Sequence, residues 1–368
     1  MTLHLRARLS SRDLDVDLSV ADGERVAILG PNGSGKSTLL SVVAGVLRPD
    51  SGLAELDGRV LFDLGDRETR PRARHWTPPY DRGAALLAQD ALLFPHLSVL
   101  DNVAFGPRSA GQPARLARTT ARRWLEEVGA AEFAGRRPAE LSGGQAQRVA
   151  IARALAAEPR MLLLDEPMAA LDVAAAPTLR RVLRRVLDGR SALIVTHDLL
   201  DALLLAHRVV VLDGGRIVES GPTQEVIAHP RTVFTARIAG LNLVRGTAEE
   251  GGVRRMSGEL FQGGVAGLEA GSDGAEALVR HGAAIAVFSP SAVAVYLEAP
   301  HGSPRNTLAV TVTELEPREH LVRIRADDRT GQTFTADVTA AAVGELDLYP
   351  GRTVHYAVKA TAVTIYPS

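Results

Sequence analysis

Nine residues near the start of the chain restrict its fold more than any other feature. Gly30-Pro31-Asn32-Gly33-Ser34-Gly35-Lys36-Ser37-Thr38 follow an aliphatic run, Arg25–Leu29, and precede a helix-forming stretch at 39–47. A glycine-rich turn between strand and helix lets backbone N–H groups wrap closely around a phosphate, and the helix N-terminus adds partial positive charge. Lys36 offers a compact cation to the terminal phosphates of a nucleotide, and Ser37 offers a hydroxyl to a divalent cation. An arginine, whose charge is spread over a planar fork, cannot replace that point charge. The composition makes the same point: of 42 Lys and Arg residues, only Lys36 and Lys359 are lysine.

A loop of this kind needs a strand before it, and more strands of the same sort follow. Continuous aliphatic runs at 84–88, 161–164, 192–195 and 209–212 alternate with helical stretches. That pattern predicts a parallel sheet covered on both faces. Leu3–Leu9 and Leu14–Val20 instead alternate apolar and polar residues, as in a half-exposed antiparallel sheet. Between residues 92 and 157 the signals turn helical, with helices expected at 114–128 and 144–157, a helical insertion in the α/β core. After His229-Pro230 helix signals fade, and short alternating strands with Gly-rich turns predict an all-β module. Asn242-Leu243 followed by 286–296 echoes Asn306-Thr307-Leu308 followed by 356–366, which predicts two β-barrel-like halves, 240–300 and 301–368. A length of 368 residues suits the resulting division at 239/240. The Arg- and Pro-rich stretch 66–82 reads as a solvated loop or, alternatively, a phosphate patch.

Composition excludes several classes of function. A formal net charge of −1 argues against nucleic-acid binding driven by overall charge. With no cysteine there is no disulfide, thiolate metal site or catalytic thiol. The N-terminus lacks the charged-then-apolar pattern of a secretion signal, and the aliphatic runs fall far short of the roughly 20 residues that span a bilayer.

Two further motifs give the phosphate loop a chemistry. Residues 161–164 run directly into Asp165 and Glu166, a strand ending in adjacent carboxylates. Asp165 is placed to hold the shell of Mg²⁺, and Glu166 to orient or deprotonate an attacking water. Leu141-Ser142-Gly143-Gly144-Gln145 opens a helix, so that Ser142 and the following amides form a second anion site at a helix N-terminus. Read locally, the same residues are a Ser N-cap and a Gly-rich turn. A single nucleotide does not need two such sites in one chain, so the second suits ATP held by another copy.

Together with Arg148–Leu155, these motifs make residues 1–239 resemble the ATP-binding subunit of an ABC transporter: a P-loop NTPase (RecA-like) α/β core with an antiparallel β subdomain and a helical subdomain at about 90–157. The resemblance implies roles for three more residues. Gln89 matches the glutamine that senses Mg²⁺ near the membrane subunits. Asp172 matches the loop that crosses the dimer, and His197 matches the switch histidine that contacts the γ-phosphate and steadies Glu166. It also implies a homodimer at the cytoplasmic face of a bacterial membrane, joined to two permease chains and, through them, an external binding protein. One departure concerns adenine. The family commonly stacks an aromatic ring on the base, yet no Phe, Tyr or Trp lies between Leu9 and Val20. The guanidinium plane of Arg12 is the alternative.

The C-terminal residues resemble the molybdate-binding (Mop-like, TOBE) class of OB-like β-barrel. Ser303-Pro304-Arg305-Asn306 opens this segment, and Tyr356–Val363, carrying Lys359, closes it. By that resemblance Ser303, Arg305, Asn306 and Lys359 are candidates for an oxyanion pocket, Ser289 standing in the place of Lys359 in the first half. Read without the resemblance, Arg305 and Asn306 are turn and strand residues and Lys359 is solvated surface. The implied function is an importer ATPase for molybdate or tungstate. Alternatives are the same subunit for sulfate, ferric iron or a sugar, or a soluble ABC ATPase acting on DNA or ribosomes, though the coiled-coil insertions or fused ATPase units of that class are not visible.

Overall fold

The computed structural model describes residues 3–65, 75–169, 171, 176–266 and 282–368. The chain divides into two compact units, Met1–Val226 and Ile227–Ser368.

In the first unit, β1 (Leu3–Leu9) and β2 (Leu14–Val20) pair antiparallel, with every second side chain buried. Strand β3 (Arg25–Leu29) leads into the phosphate loop and helix α1 (Lys36–Ala44). The helix begins three residues before the expected stretch and stops at Gly45. That glycine is in the left-handed region, and Val46 bonds back to the carbonyl of Ser41. Strands β4 (Ser51–Leu56), β5 (Arg59–Gly65) and β6 (His75–Trp76) complete a sheet of order β2-β1-β4-β5-β6.

The chain then enters the core sheet at β7 (Ala84–Leu87). Helices α2 (Val99–Ser109), α3 (Ala114–Glu127) and α4 (Gly143–Ala156) follow before it returns at β8 (Met161–Asp165). Next come α5 (Ala176–Val186), β9 (Ser191–Val195), α6 (Leu199–Leu205), β10 (Arg208–Asp213) and β11 (Arg216–Pro222). The core sheet has the order β11-β10-β3-β9-β8-β7, parallel except at β11. Strand β9 is buried at all of its positions, as a strand covered on both faces must be. Each fully buried Leu, Val or Ile there contributes roughly 1.5–3 kcal/mol. Because β3, β9, β8 and β7 run parallel, their carboxyl ends share one edge, where ligands of open α/β sheets bind.

The stretch read as a solvated loop ends otherwise. Residues 66–74 lie outside the described set, but Arg82 is only 1% exposed. Its guanidinium donates to the carbonyls of Thr77, Val42 and Val43 and stacks over Trp76 at 4.2 Å. It therefore satisfies the C-terminal carbonyls of α1, which a solvated arginine could not do. Burial without a carboxylate partner lowers its pKa to about 10.

The second unit begins with two short helices, α7 (Thr223–Ala228, shared with the first unit) and α8 (Val233–Ile238), the latter capped by Thr232. Helix thus persists a few residues past Pro230. Strands β12 (Asn242–Glu249), β13 (Gly252–Arg254), β14 (Leu260–Gln262), β15 (Gly264–Val265), β16 (Ala283–Phe288) and β17 (Val293–Tyr296) come next. Then follow β18 (Asn306–Arg318), β19 (Leu321–Asp328), β20 (Thr333–Thr339), a short helix at Ala340–Glu345, β21 (Thr353–Val358) and β22 (Thr364–Pro367). They make two barrel-like sheets, β14-β13-β12-β16-β22-β15 and β17-β21-β18-β19-β20. Strand β22 pairs with β16, and β17 with β21, so each sheet takes a strand from the other half of the sequence. Asn242 faces Phe288 across one pair and Asn306 faces Val358 across another, in matching register. Their side chains match too. The Asn242 amide bonds the backbone of Thr335, and the Asn306 amide bonds that of Gln262.

Candidate functional site

At the carboxyl edge of β3 the backbone must turn sharply. A Cβ on Gly30 would lie 2.1 Å from the carbonyl oxygen of Leu212, so only glycine fits. Gly35, with φ +98°, forms the N-cap of α1. The turn brings the start of α1 to a cleft lined by Asn32, Gly33, Lys36, Ser37, Thr38 and Glu166, together with Arg12 and Asp13. Lys36 is 7% exposed, and its ammonium bonds the carbonyls of Gly30 and Pro31, each at 2.9 Å. Burial depresses its pKa, and the charges of Glu166 and Asp165 only partly restore it. Ser34 is buried at this turn, its hydroxyl without a hydrogen-bond partner.

Strand β8 delivers the two carboxylates to the same edge. Ser37 donates its hydroxyl to Asp165 at 3.2 Å. Burial raises the Asp165 pKa and Glu166 adds to the rise, against the bond from Ser37 and the charge of Lys36. A hydroxyl beside a carboxylate whose charge is penalised by burial suits Mg²⁺, a hard cation that takes oxygen ligands and usually keeps positions for water and phosphate. Among the described residues no three His, Cys, Asp or Glu side chains come together as a closed metal cage.

Glu166 has a left-handed backbone, φ +44°, which is costly for a residue with a side chain. Its amide bonds the carbonyl of Val195, tying β8 to the end of β9. Two residues beyond β9, His197 Nδ1 lies 3.4 Å from Glu166 Oε2, and the imidazole is 66% exposed. Glu166 therefore borders both the phosphate cleft and a second hollow containing His197. A carboxylate beside a phosphate loop and backed by an imidazole can accept a proton from water and be steadied while doing so.

The remaining sequence-predicted residues are dispersed. Gln89 stands exposed two residues beyond β7 and is not among the residues lining the phosphate cleft. Ser142 and Gln145 form a capping box on α4, with bonds of 3.4 and 3.0 Å, and Ser142 and Gly143 are exposed. Gly144 lies in the first turn of that helix. Asp172 lies outside the described residues. In the second unit Ser303, Arg305 and Lys359 are exposed, whereas Asn306 is 2% exposed with its amide engaged by Gln262. Ser289 and Lys359 both precede a short 3₁₀ turn, and Ser289 caps its turn with its own hydroxyl.

Two arginines around the site make contacts that the sequence does not reveal. Arg153, on α4, donates to the carbonyls of Ala91 and Leu92 and stacks over Phe94, holding the segment after Gln89. Leu92 in that segment has φ +42°. Arg180, on α5, bonds both Asp198 and Asp201. Arg153 lies within the Arg148–Leu155 motif, but its partners, like those of Arg180, are distant in sequence.

A phosphate loop, a strand ending in adjacent carboxylates and a carboxylate–imidazole pair on one edge of a parallel sheet are the arrangement of an ATP-binding cassette ATPase. The chain belongs to the family of ABC transporter ATP-binding proteins: the ABC transporter family model matches residues 14–169, and the TOBE domain model matches 302–365. It is 50% identical to the Molybdenum import ATP-binding protein ModC of Mycobacterium tuberculosis, over all of this chain and 97% of that protein. It is 42% identical to the Molybdate/tungstate import ATP-binding protein WtpC of Thermococcus kodakarensis, over 67% of this chain and 72% of that one. Among solved structures, the ATP-binding cassette MJ0796, a dimer in a post-hydrolysis state with ADP and Pi, aligns with TM-score 0.52 at 30% identity. That alignment covers 60% of this chain and 98% of the cassette.

Proposed function

We propose that the chain is the ATP-hydrolysing subunit of an importer for molybdate or tungstate, working as a homodimer with two permease subunits at the cytoplasmic face of the membrane. The observation that carries the substrate is the match to a molybdenum import protein over the whole chain, C-terminal unit included. Among the described residues no helix is long and apolar enough to cross a membrane, in keeping with a peripheral subunit served by separate permeases.

In this reading the loop Gly30–Thr38 binds the ATP phosphates, Lys36 neutralises their charge, and Ser37, Gln89 and Asp165 hold Mg²⁺. The cation, when bound, draws charge from the terminal phosphates. Glu166 orients the attacking water and takes its proton, and His197 steadies Glu166. Ser142, Gly143, Gly144 and Gln145 of one copy close on ATP held by the other, with Asp172 crossing between them. Closure drives the permeases, and product release reopens the dimer. Ser303, Arg305 and Lys359 are the C-terminal candidates for sensing the oxyanion. What supports that part is the TOBE match over 302–365 and the exposure of the three side chains.

The test is uptake into vesicles holding the assembled transporter. ATP-dependent molybdate uptake, resistant to excess sulfate, is expected; uptake outcompeted by sulfate would assign another oxyanion. In the same assembly Glu166→Gln is expected to bind ATP and hold the closed dimer without turnover. Rapid hydrolysis by that variant would remove Glu166 from the proposed role.

A further inference from the structure

The imidazole of His197 is largely exposed, so side-chain packing does not set its position. The residues on either side of it do. Thr196, 2% exposed, donates its hydroxyl to Asp201 at 2.9 Å and accepts the Asp198 amide at 3.0 Å. Asp198 in turn caps α6 by accepting the Leu200 amide at 2.8 Å. Both acidic groups lie at the start of α6, one turn apart, where two carboxylates repel each other.

Arg180 resolves that repulsion. It reaches across from α5, donating Nε to Asp201 at 2.5 Å and Nη2 to Asp198. The Asp201 side chain is 4% exposed and that of Arg180 is 15% exposed. Burial disfavours the guanidinium charge, but the bonds and charges of Asp201 and Asp198 outweigh it, and the Arg180 pKa is raised. The two donors project from different nitrogens of one rigid plane, which a lysine ammonium cannot imitate.

We propose that Arg180 is a positioning residue for hydrolysis: by tying Asp198 to Asp201 it fixes the Thr196–Asp198 turn that holds His197 against Glu166. This rests on the reading of Glu166 and His197 given above. A purely structural arginine, one that only fastens α5 to α6, would share these contacts. The two differ in how Arg180 couples to His197.

The experiment is a double-mutant cycle on the full-length protein, reading kcat and KM for ATP and the melting temperature. Arg180→Ala is expected to lower kcat on the order of 10–100-fold, as losses of residues that orient catalytic groups do, with KM changed less than about twofold. Arg180→Lys should fall between. In a His197→Ala background, the same Arg180 substitutions should cost less than about twofold more, because the group they position is gone. Losses that multiply in that background, or a kcat within about twofold of wild type for Arg180→Ala, overturn the proposal. If His197→Ala alone keeps full turnover, the reading of the site falls and this proposal with it. If Arg180→Ala does not fold, the cycle built on Arg180→Lys decides the question by the same criteria.

Discussion

Buried charge is handled in opposite ways in the ATP cleft and in the second unit. In the ATP cleft the buried ionisable groups are held away from their preferred states. Lys36 is depressed by burial, and Asp165 is raised by burial. In the second unit, burial pushes Asp328 up, but hydrogen bonds from Thr330, Arg255 and the Gln332 amide outweigh it, and its pKa falls below the ordinary value. The double bond from Arg323 to Asp337, at 2.7 Å for each arm, lowers that carboxyl against the effect of burial. A site that must receive phosphates and a cation leaves its charges incompletely compensated, whereas a barrel that must hold two interlocked sheets compensates them. Stability and function are therefore expected to separate between the units.

Asp165→Asn tests that contrast most strongly. Removing the penalised charge should cut turnover on the order of 100-fold or more, since it takes away the ligand proposed for Mg²⁺. The melting temperature of the ligand-free protein should not fall. A clear drop in melting temperature would mean that Asp165 is compensated after all, and the contrast would fail.

The second unit should behave in reverse. Arg255 and Asp328 are 5% and 2% exposed at their side chains and 2.5 Å apart. Asp328→Ala would take from the buried guanidinium its nearest carboxylate and leave Glu259 at 3.7 Å, at a cost of about 3–5 kcal/mol. Both tryptophans, Trp76 and Trp124, lie in the first unit, and four of the five tyrosines lie in the second. Urea unfolding followed by tyrosine should therefore shift, with the tryptophan signal little changed. Equal shifts in both signals would show that the units unfold together.

Acid should weaken the two units unequally. Asp328 and Asp337 have lowered folded-state pKa values, so the native state binds fewer protons than the unfolded chain. Their contribution is complete above about pH 4, the ordinary carboxylate value, and is lost as pH falls through the folded-state values. Asp165 has the opposite sign: its contribution is present at low pH and is lost as pH rises through its raised value. Between pH 7 and 3 the tyrosine-reported transition should weaken, and so should the tryptophan-reported one, because Glu24 and Asp101 in the first unit are lowered as well; there Asp165 offsets part of the loss.

Much of this was readable in the sequence where chemistry is local. The parallel strands announced themselves because a strand buried on both faces is a continuous aliphatic run, as at residues 192–195 of β9. The phosphate loop did so because its backbone accepts only glycine at a position such as Gly30. What stayed hidden depends on partners far along the chain. Arg82 caps a helix some forty residues earlier, and Arg153 reaches back about sixty residues to the segment after Gln89. Asn306 was singled out as an oxyanion candidate, but its amide bonds Gln262, just as that of Asn242 bonds Thr335. The repeated Asn was visible, and the exchange of strands that gives both amides their partners was not.

The smallest expected effect concerns the base. Arg12 is exposed, lines the phosphate cleft and lies 3.5 Å from the Thr38 hydroxyl, where no aromatic ring is near in sequence. A guanidinium stacked on adenine at an exposed site contributes about 0.5–1 kcal/mol, which is roughly two- to fivefold in affinity. Arg12→Ala should thus raise KM for ATP by about that factor with kcat unchanged, and Arg12→Tyr should restore it. The effect would be modest because this cation, unlike Lys36, is not desolvated and its interaction is screened. A kcat loss, or a rise in KM of about 100-fold, would place Arg12 on phosphate charge rather than on the base, and would add a second cation to the group that the cleft leaves uncompensated.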